Sequence, residues 1–172
     1  VLQLINSKNQ DGNIIPFSKR YEKIVEALSS YAAVSIYNTR LNSQLKESYL
    51  ESVVRLGIAS EYRDKETFAH LYRMSEISYL IALELGFNEK DAINFKYAAI
   101  MHDVGKLGIP DCILNKPGPL DDDERKVMET HTILGANILR GSKSDLLKMA
   151  AKIALTHHER WDGNGYPLGL KK

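Results

Sequence analysis

Cysteine is almost missing from this chain. Cys112 is the only one, so no internal disulfide can form, which suits a reducing compartment. Net charge is nearly missing too. Lys and Arg total 23 against 22 Asp and Glu, leaving +1. Such a balance gives no broad field for a nucleic acid polymer or an anionic membrane, though it leaves room for a small anion held by metal. No apolar run approaches the roughly 18 residues of a membrane span. Val1 opens an apolar stretch without the basic flank of a signal peptide, so a cytoplasmic location is expected. Proline is scarce, with none between Pro16 and Pro110, and no glycine falls between Ser18 and Gly57. Nothing there interrupts a helix.

The pattern that fills this gap is helical. Ile24, Leu28, Tyr31, Val34, Leu41 and Leu45 recur at spacings of three, four and seven, and Leu50, Val53, Val54 and Ile58 continue the series. Ser18 is placed to cap its start. A rod near forty residues suits a connector or a dimer stalk; two consecutive helices packed on a core remain the other reading. Before it, Val1 to Ile5 reads as a strand and Asp11-Gly12 as a tight turn. A charged stretch from Glu61 to Glu66 marks a boundary. Thr67 to Leu85 is expected to be helical, stopped by Gly86. Asn88 caps a helix running to about His102. Asp121 and Glu124 have capping-box spacing, and their helix is expected to reach Leu139. A last helix opens at Ser144 or Asp145 and ends at His157-His158.

The five histidines draw attention next. Imidazoles with carboxylates are the ligand set of a borderline metal. Glu66 and His70 stand four apart, on one helix face, although such a pair alone is more often a salt bridge. His102-Asp103 follows the apolar run Tyr97 to Met101, where an unpaired carboxylate would be costly. Lys106 can return an ammonium towards it. His131 sits among Met128, Ile133, Leu134 and Ile138. His157 and His158 would diverge by about 100° on a helix, so either the helix frays there and one metal takes both, or the two serve different metals.

These motifs, in this order, resemble the HD-GYP domains of the HD metal-dependent phosphohydrolases. The likeness is carried by His70 with Arg73, by His102-Asp103-Val104-Gly105-Lys106, and by Ile109 through Gly118. It continues in His131 with Gly135 and in His157 through Pro167. The resemblance implies an all-α helical bundle around two or three divalent metals, iron or manganese. It implies Glu66, His70, His102, Asp103, His131, His157 and His158 as metal ligands, with Asp103 bridging. It gives Asp103 and Lys106 catalytic roles, and Lys106, Tyr166 and Arg73 contacts to substrate. The activity implied is hydrolysis of cyclic di-GMP to pGpG and, in many members, on to GMP. A non-catalytic signalling domain and a hydrolase of another cyclic dinucleotide are the alternatives.

Val1 to Asn6, the start at Phe17-Ser18, and Ala32 to Leu41 resemble the end of a GAF domain. The organisation expected is therefore a GAF-like piece over 1–45, a connecting helix over 46–63 and an HD-GYP domain over 64–172. The family pattern continues past the Gly-Tyr-Pro loop with a further metal-binding Asp, so the chain is expected to be a fragment. A homodimer through the long helix and a signalling partner at the Gly-Tyr-Pro loop complete the expectations.

Overall fold

The computed structural model describes residues 5–63 and 68–171. The chain divides into two compact units between Ser48 and Tyr49. In the first, Asn9 to Asn13 forms a turn with Gly12 at φ 83°, and Lys8 makes one antiparallel bridge with Ile14. The strand expected over Val1 to Ile5 lies outside the described residues except for Ile5, which is not in a strand. Ser18 accepts from the Arg20 amide and caps a short 3-10 turn, Lys19–Tyr21.

Helix α1 follows as one element of 40 residues, Glu22–Glu61. The rod reading therefore holds, and the two-helix reading does not. The reason is the absence of any Pro or Gly between Ser18 and Gly57. Ile24, Leu28, Tyr31, Val34, Leu41 and Leu45 are all exposed.

The second unit is built from the end of α1 and six more helices among the described residues. These are α2 (Phe68–Glu84), α3 (Glu89–Ala99), α4 (Asp111–Leu114), α5 (Asp122–Glu129), α6 (His131–Leu139) and α7 (Asp145–Thr156). A 3-10 turn, Val104–Gly108, links α3 to α4. Gly86, at φ 84°, ends α2 as expected, with the Phe87 amide returning to the Ala82 carbonyl. Asn88 accepts from the Asp91 amide at the head of α3. The Asp121–Glu124 capping box is formed in both directions.

Two boundaries differ from expectation. Helix α3 stops at Ala99, three residues before His102, because the chain tightens there into successive i−3 bonds. The helix expected from Asp121 to Leu139 is broken at Thr130. There the side chains of Thr130, His131 and Thr132 reach the carbonyls of Val127, Met128 and Glu129. Side chains that bond to nearby carbonyls compete with the helix ladder.

Val53, Ala98, Met101, Val104, Leu139, Leu146, Ala150 and Ala154 form the core. Helix α6 packs on α7 and on the Val104–Gly108 turn; α3 packs on α2 and α7. Small residues let these elements approach closely. An added Cβ at Gly105 would lie 1.8 Å from the His131 carbonyl oxygen, and one at Gly135 would meet Gly105 and Ala154 at 3.2 Å. No described helix is long and apolar enough to cross a membrane.

Candidate metal centre

The close approach of the Gly105 turn to α6, which itself packs on α7, sets three helix ends around one carboxylate. Asp103 is buried at 7% exposure. Its Oδ2 lies 3.0 Å from His102 Nε2 and 2.8 Å from Lys106 Nζ. Its Oδ1 lies 3.3 Å from His131 Nε2 and 3.2 Å from His157 Nε2. Each oxygen thus faces imidazole nitrogen, but in two different groups.

The rings are oriented by the main chain. Nδ1 of His102 donates to the Ala99 carbonyl at 2.9 Å and that of His131 to Met128 at 2.6 Å. Nδ1 of His157 donates to Ala154 at 3.0 Å. A carbonyl only accepts, so each Nδ1 carries the proton and neutral rings turn their Nε2 lone pairs inward. His131 and His157 meet Nε2 to Nε2 at 3.3 Å. Among the described residues no hydrogen bond reaches Asp103 Oδ1, despite the two nearby nitrogens. Lone pairs facing lone pairs around an orphaned carboxylate oxygen are stabilised by a cation. The donor set therefore fits a divalent metal held by nitrogen and oxygen.

Burial would raise the Asp103 carboxyl, but contact with His102, His131 and His157 outweighs it and holds the group far below the carboxylate range. Burial pulls His102 down, yet the bond to Asp103 and its charge, the Ala99 carbonyl and the charge of Glu61 together raise it. His158 is pushed down to about 4, by burial first and then by His157 and His131. A neutral imidazole near pH 7 is the ligand form.

The helix stops at Thr156, so His157 and His158 leave it in a turn and both rings reach the site, 4.2 Å apart by centroid. The turn behind them folds back. Tyr166 stacks on His158 at 4.6 Å, and its amide donates to the His158 carbonyl. Its phenol is pushed up to about 12, by burial and then by the charges of Glu129 and Asp103, so it stays a donor. Glu159 ties the loop by accepting from the Leu168 and Leu170 amides, both at 2.7 Å. An added Cβ at Gly165 would meet the Arg160 amide at 2.3 Å, so only glycine fits there.

Asp103, His131, His157 and His158 form one group of ligand atoms within 4.8 Å; Glu61, His102 and Asp103 form a second. Lys106 and Tyr166 stand beside them. His70 is exposed in α2 and belongs to neither group, and Arg73 is exposed one turn further on. Glu66 lies outside the described residues.

Sequence reading missed two residues here. Glu61 is 2% exposed at the last position of α1. Its signal was a charge on a stripe with Val53, Gly57 and Ser60, which are all buried. Arg63 bonds the carbonyls of Lys106 (3.1 Å), Leu107 (2.7 Å) and Ile109 (3.0 Å) and the Asp111 carboxylate (2.6 Å). It clamps the segment that presents Lys106. No spacing rule pointed to it.

The chain matches the HD domain family over residues 42–172. A cyclic di-GMP phosphodiesterase of Thermotoga maritima is 50% identical over 127 residues, 73% of this chain and 34% of the relative. The cyclic di-GMP phosphodiesterase response regulator RpfG of Xanthomonas campestris is 45% identical over 128 residues, 74% of this chain and 34% of the relative. A 3'3'-cGAMP-specific phosphodiesterase 2 of Vibrio cholerae is 41% identical over 149 residues, 87% and 28%. The chain thus spans about a third of the length of these curated relatives.

Proposed function

Because the chain belongs to the HD domain family, we propose that it is the metal-dependent hydrolytic part of an HD-GYP cyclic di-GMP phosphodiesterase that yields pGpG, and GMP after a second cut. The observation that carries this reading is the buried Asp103 carboxylate, with imidazole Nε2 atoms facing both of its oxygens. The names of the relatives support the substrate class.

Two or three divalent ions, iron or manganese, would supply an acidified water and neutralise charge on the phosphoryl oxygens. Asp103 would hold ions on both sides, with His102 on one and His131, His157 and His158 on the other. His70 and Glu66 complete the expected ligand set. Lys106 brings an ammonium to within 2.8 Å of Asp103, where a substrate phosphate can draw it away. Tyr166 offers a protonated phenol at the rim of the site. Arg73 stands as a further substrate contact. The Gly105 and Gly135 backbones pack without side chains between them and bring Asp103 close to His131.

We read residues 1–45 as the end of a GAF-like sensory domain, 46–63 as the connecting helix and 64–172 as the HD-GYP domain. Exposed apolar residues along α1 support a homodimer through that helix. The Gly-Tyr-Pro loop, with Trp161 at 77% exposure, would meet a signalling partner. A cytoplasmic site of action suits the substrate.

Purified protein loaded with Mn²⁺ should convert cyclic di-GMP to pGpG, and Asp103→Asn should cut the rate about a thousandfold. No turnover at full metal occupancy would sink the proposal. Competition with 3'3'-cGAMP decides between the two substrates that the relatives are named for.

A further inference from the structure

The end of α1 and helices α2 and α3 leave a cavity of about 200 Å³ between them. Among the described residues, none of the candidate metal ligands lines it. Val54 and Ile58 of α1, Leu71 of α2, Tyr97 of α3 and Ile100 in the turn after it make the apolar walls. Leu71 and Ile100 are buried, at 2% and 5% exposure. Close-packed interiors hold few voids larger than a water molecule. This one has room for a ring, since an engineered apolar cavity of about 150 Å³ stays dry and takes benzene.

Most polar groups in the wall are already bonded. Ser75, 1% exposed, donates its hydroxyl to the Tyr72 carbonyl at 2.9 Å. Lys96 Nζ donates to Glu76 at 2.6 Å. Bonds from Lys96 and then from Tyr72 hold the Glu76 carboxyl below its usual value. Both lining side chains thus spend their polar ends on one carboxylate. A water molecule finds few free partners among the described lining residues, and a charged ligand finds no free counter-ion.

Ile100 joins this cavity to the metal centre. A Cβ at Gly57 would lie 2.4 Å from Ile100 Cγ2 and 2.8 Å from the Ile100 carbonyl oxygen, so α1 leaves that residue no room to retreat. Directly before it, the Ala99 carbonyl accepts from the His102 amide at 3.1 Å and from His102 Nδ1 at 2.9 Å. A group that braces Ile100 therefore braces the His102 ring, because packed interiors transmit strain.

We infer that the cavity binds a small uncharged apolar molecule, an aromatic ring or short alkyl chain of about six to ten heavy atoms, and that its occupancy regulates the metal centre through Ile100. The ligand site stands without the metal-centre reading; only the regulation rests on it. Ligand and metal favour the same braced state, so each tightens the binding of the other.

The test follows the Ile, Leu and Val methyl signals of the metal-stripped protein by NMR as toluene, and separately benzoate, is added. Toluene is expected to give saturable shifts at Val54, Ile58, Leu71 and Ile100, with benzoate binding at least about tenfold more weakly. Val54→Phe, which puts a ring into the cavity, should abolish the shifts. If circular dichroism shows that this variant does not fold, Ile58→Phe is read by the same criterion. No saturable shift in wild type would overturn the inference. So would equal binding of benzoate, or toluene binding that survives in a folded, filled variant. Mn²⁺ calorimetry with and without toluene reads the regulation. Toluene should raise Mn²⁺ affinity about fivefold in wild type and leave it unchanged in the filled variant. Toluene binding with unchanged Mn²⁺ affinity would overturn the regulation and uphold the ligand site. Toluene binding with no Mn²⁺ uptake at all would uphold the ligand site and remove the metal-centre reading.

Discussion

The segment from His102 to Asp111 and the loop from His158 to Leu170 both turn away from a helix near a histidine, and both supply a polar group to the same centre. They are built by different means. The first is packed from beneath by main chain: Gly105 touches the His131 carbonyl region, Val104 and Ile109 are buried, and Arg63 bonds three carbonyls. The second lies mostly in the open, with Trp161, Leu168 and Leu170 exposed. Carboxylates hold it: Glu159 on the Leu168 and Leu170 amides, and Asp162 on the Asn164 amide and the Arg160 guanidinium. The difference teaches that position in the centre is set by buried backbone contact in one case and, apart from the tight turn at Gly165, by charge in the other. The first should fail by steric damage and the second by loss of charge.

Gly105→Ala tests the packed segment most severely. The added methyl must push α6 away, and a cost of about 3 kcal/mol or more is expected, read in urea unfolding, with metal affinity falling as well. If Gly105→Ala is as stable as wild type, the packed-segment account is wrong. Arg63→Met should cost about 2 kcal/mol, since carbonyls lose a charged donor, and should impair hydrolysis by letting Lys106 wander. Wild-type stability and turnover would remove the clamp. In the loop, Glu159→Gln should leave global stability within about 1 kcal/mol of wild type while speeding hydrogen exchange at the Leu168 and Leu170 amides. A large global loss would mean that the loop is packed like the first segment.

The smallest expected effect is with pH. The Asp162 carboxyl is held well below its usual value, chiefly by its bond to Arg160 and then by the Asn164 amide. A lowered carboxyl stabilises the folded state above its unfolded value and loses that contribution as pH falls through the folded value. Asp162 should therefore stay ionised at pH 4, where free carboxyls of about 3.9 are half protonated. Carbon NMR titration checks it, and an ordinary midpoint would show that the Arg160 bond does not form.

Much of this was legible in the sequence, and the reasons are local. Helix caps at Ser18, Asn88 and Asp121 depend on neighbours a few residues away, so they were found. The order of His102-Asp103, His131 and His157-His158 carried the metal side of the centre. What escaped depends on distant partners or on competition between bonds. The break at Thr130 comes from three successive side chains choosing carbonyls over solvent, which no periodicity shows. Arg63 was read only as part of a charged stretch, because its acceptors lie more than forty residues away. Glu61 was hidden in the same stretch, although its place on a buried stripe was a usable sign. The match to the HD domain family bears out the all-α bundle over the greater part of the chain.

The glycine contact beneath Asp103 has a further meaning. Gly105 and Gly135 meet with no side chain between them, so peptide thickness rather than side-chain volume fixes how near Asp103 stands to His131. A gauge made of backbone does not drift when neighbouring apolar residues are exchanged. Substitutions at Leu139 or Leu146 can then erode stability while the gap between Asp103 and His131 keeps its width, and the arrangement of these side chains is insulated from the slow turnover of the interior around it.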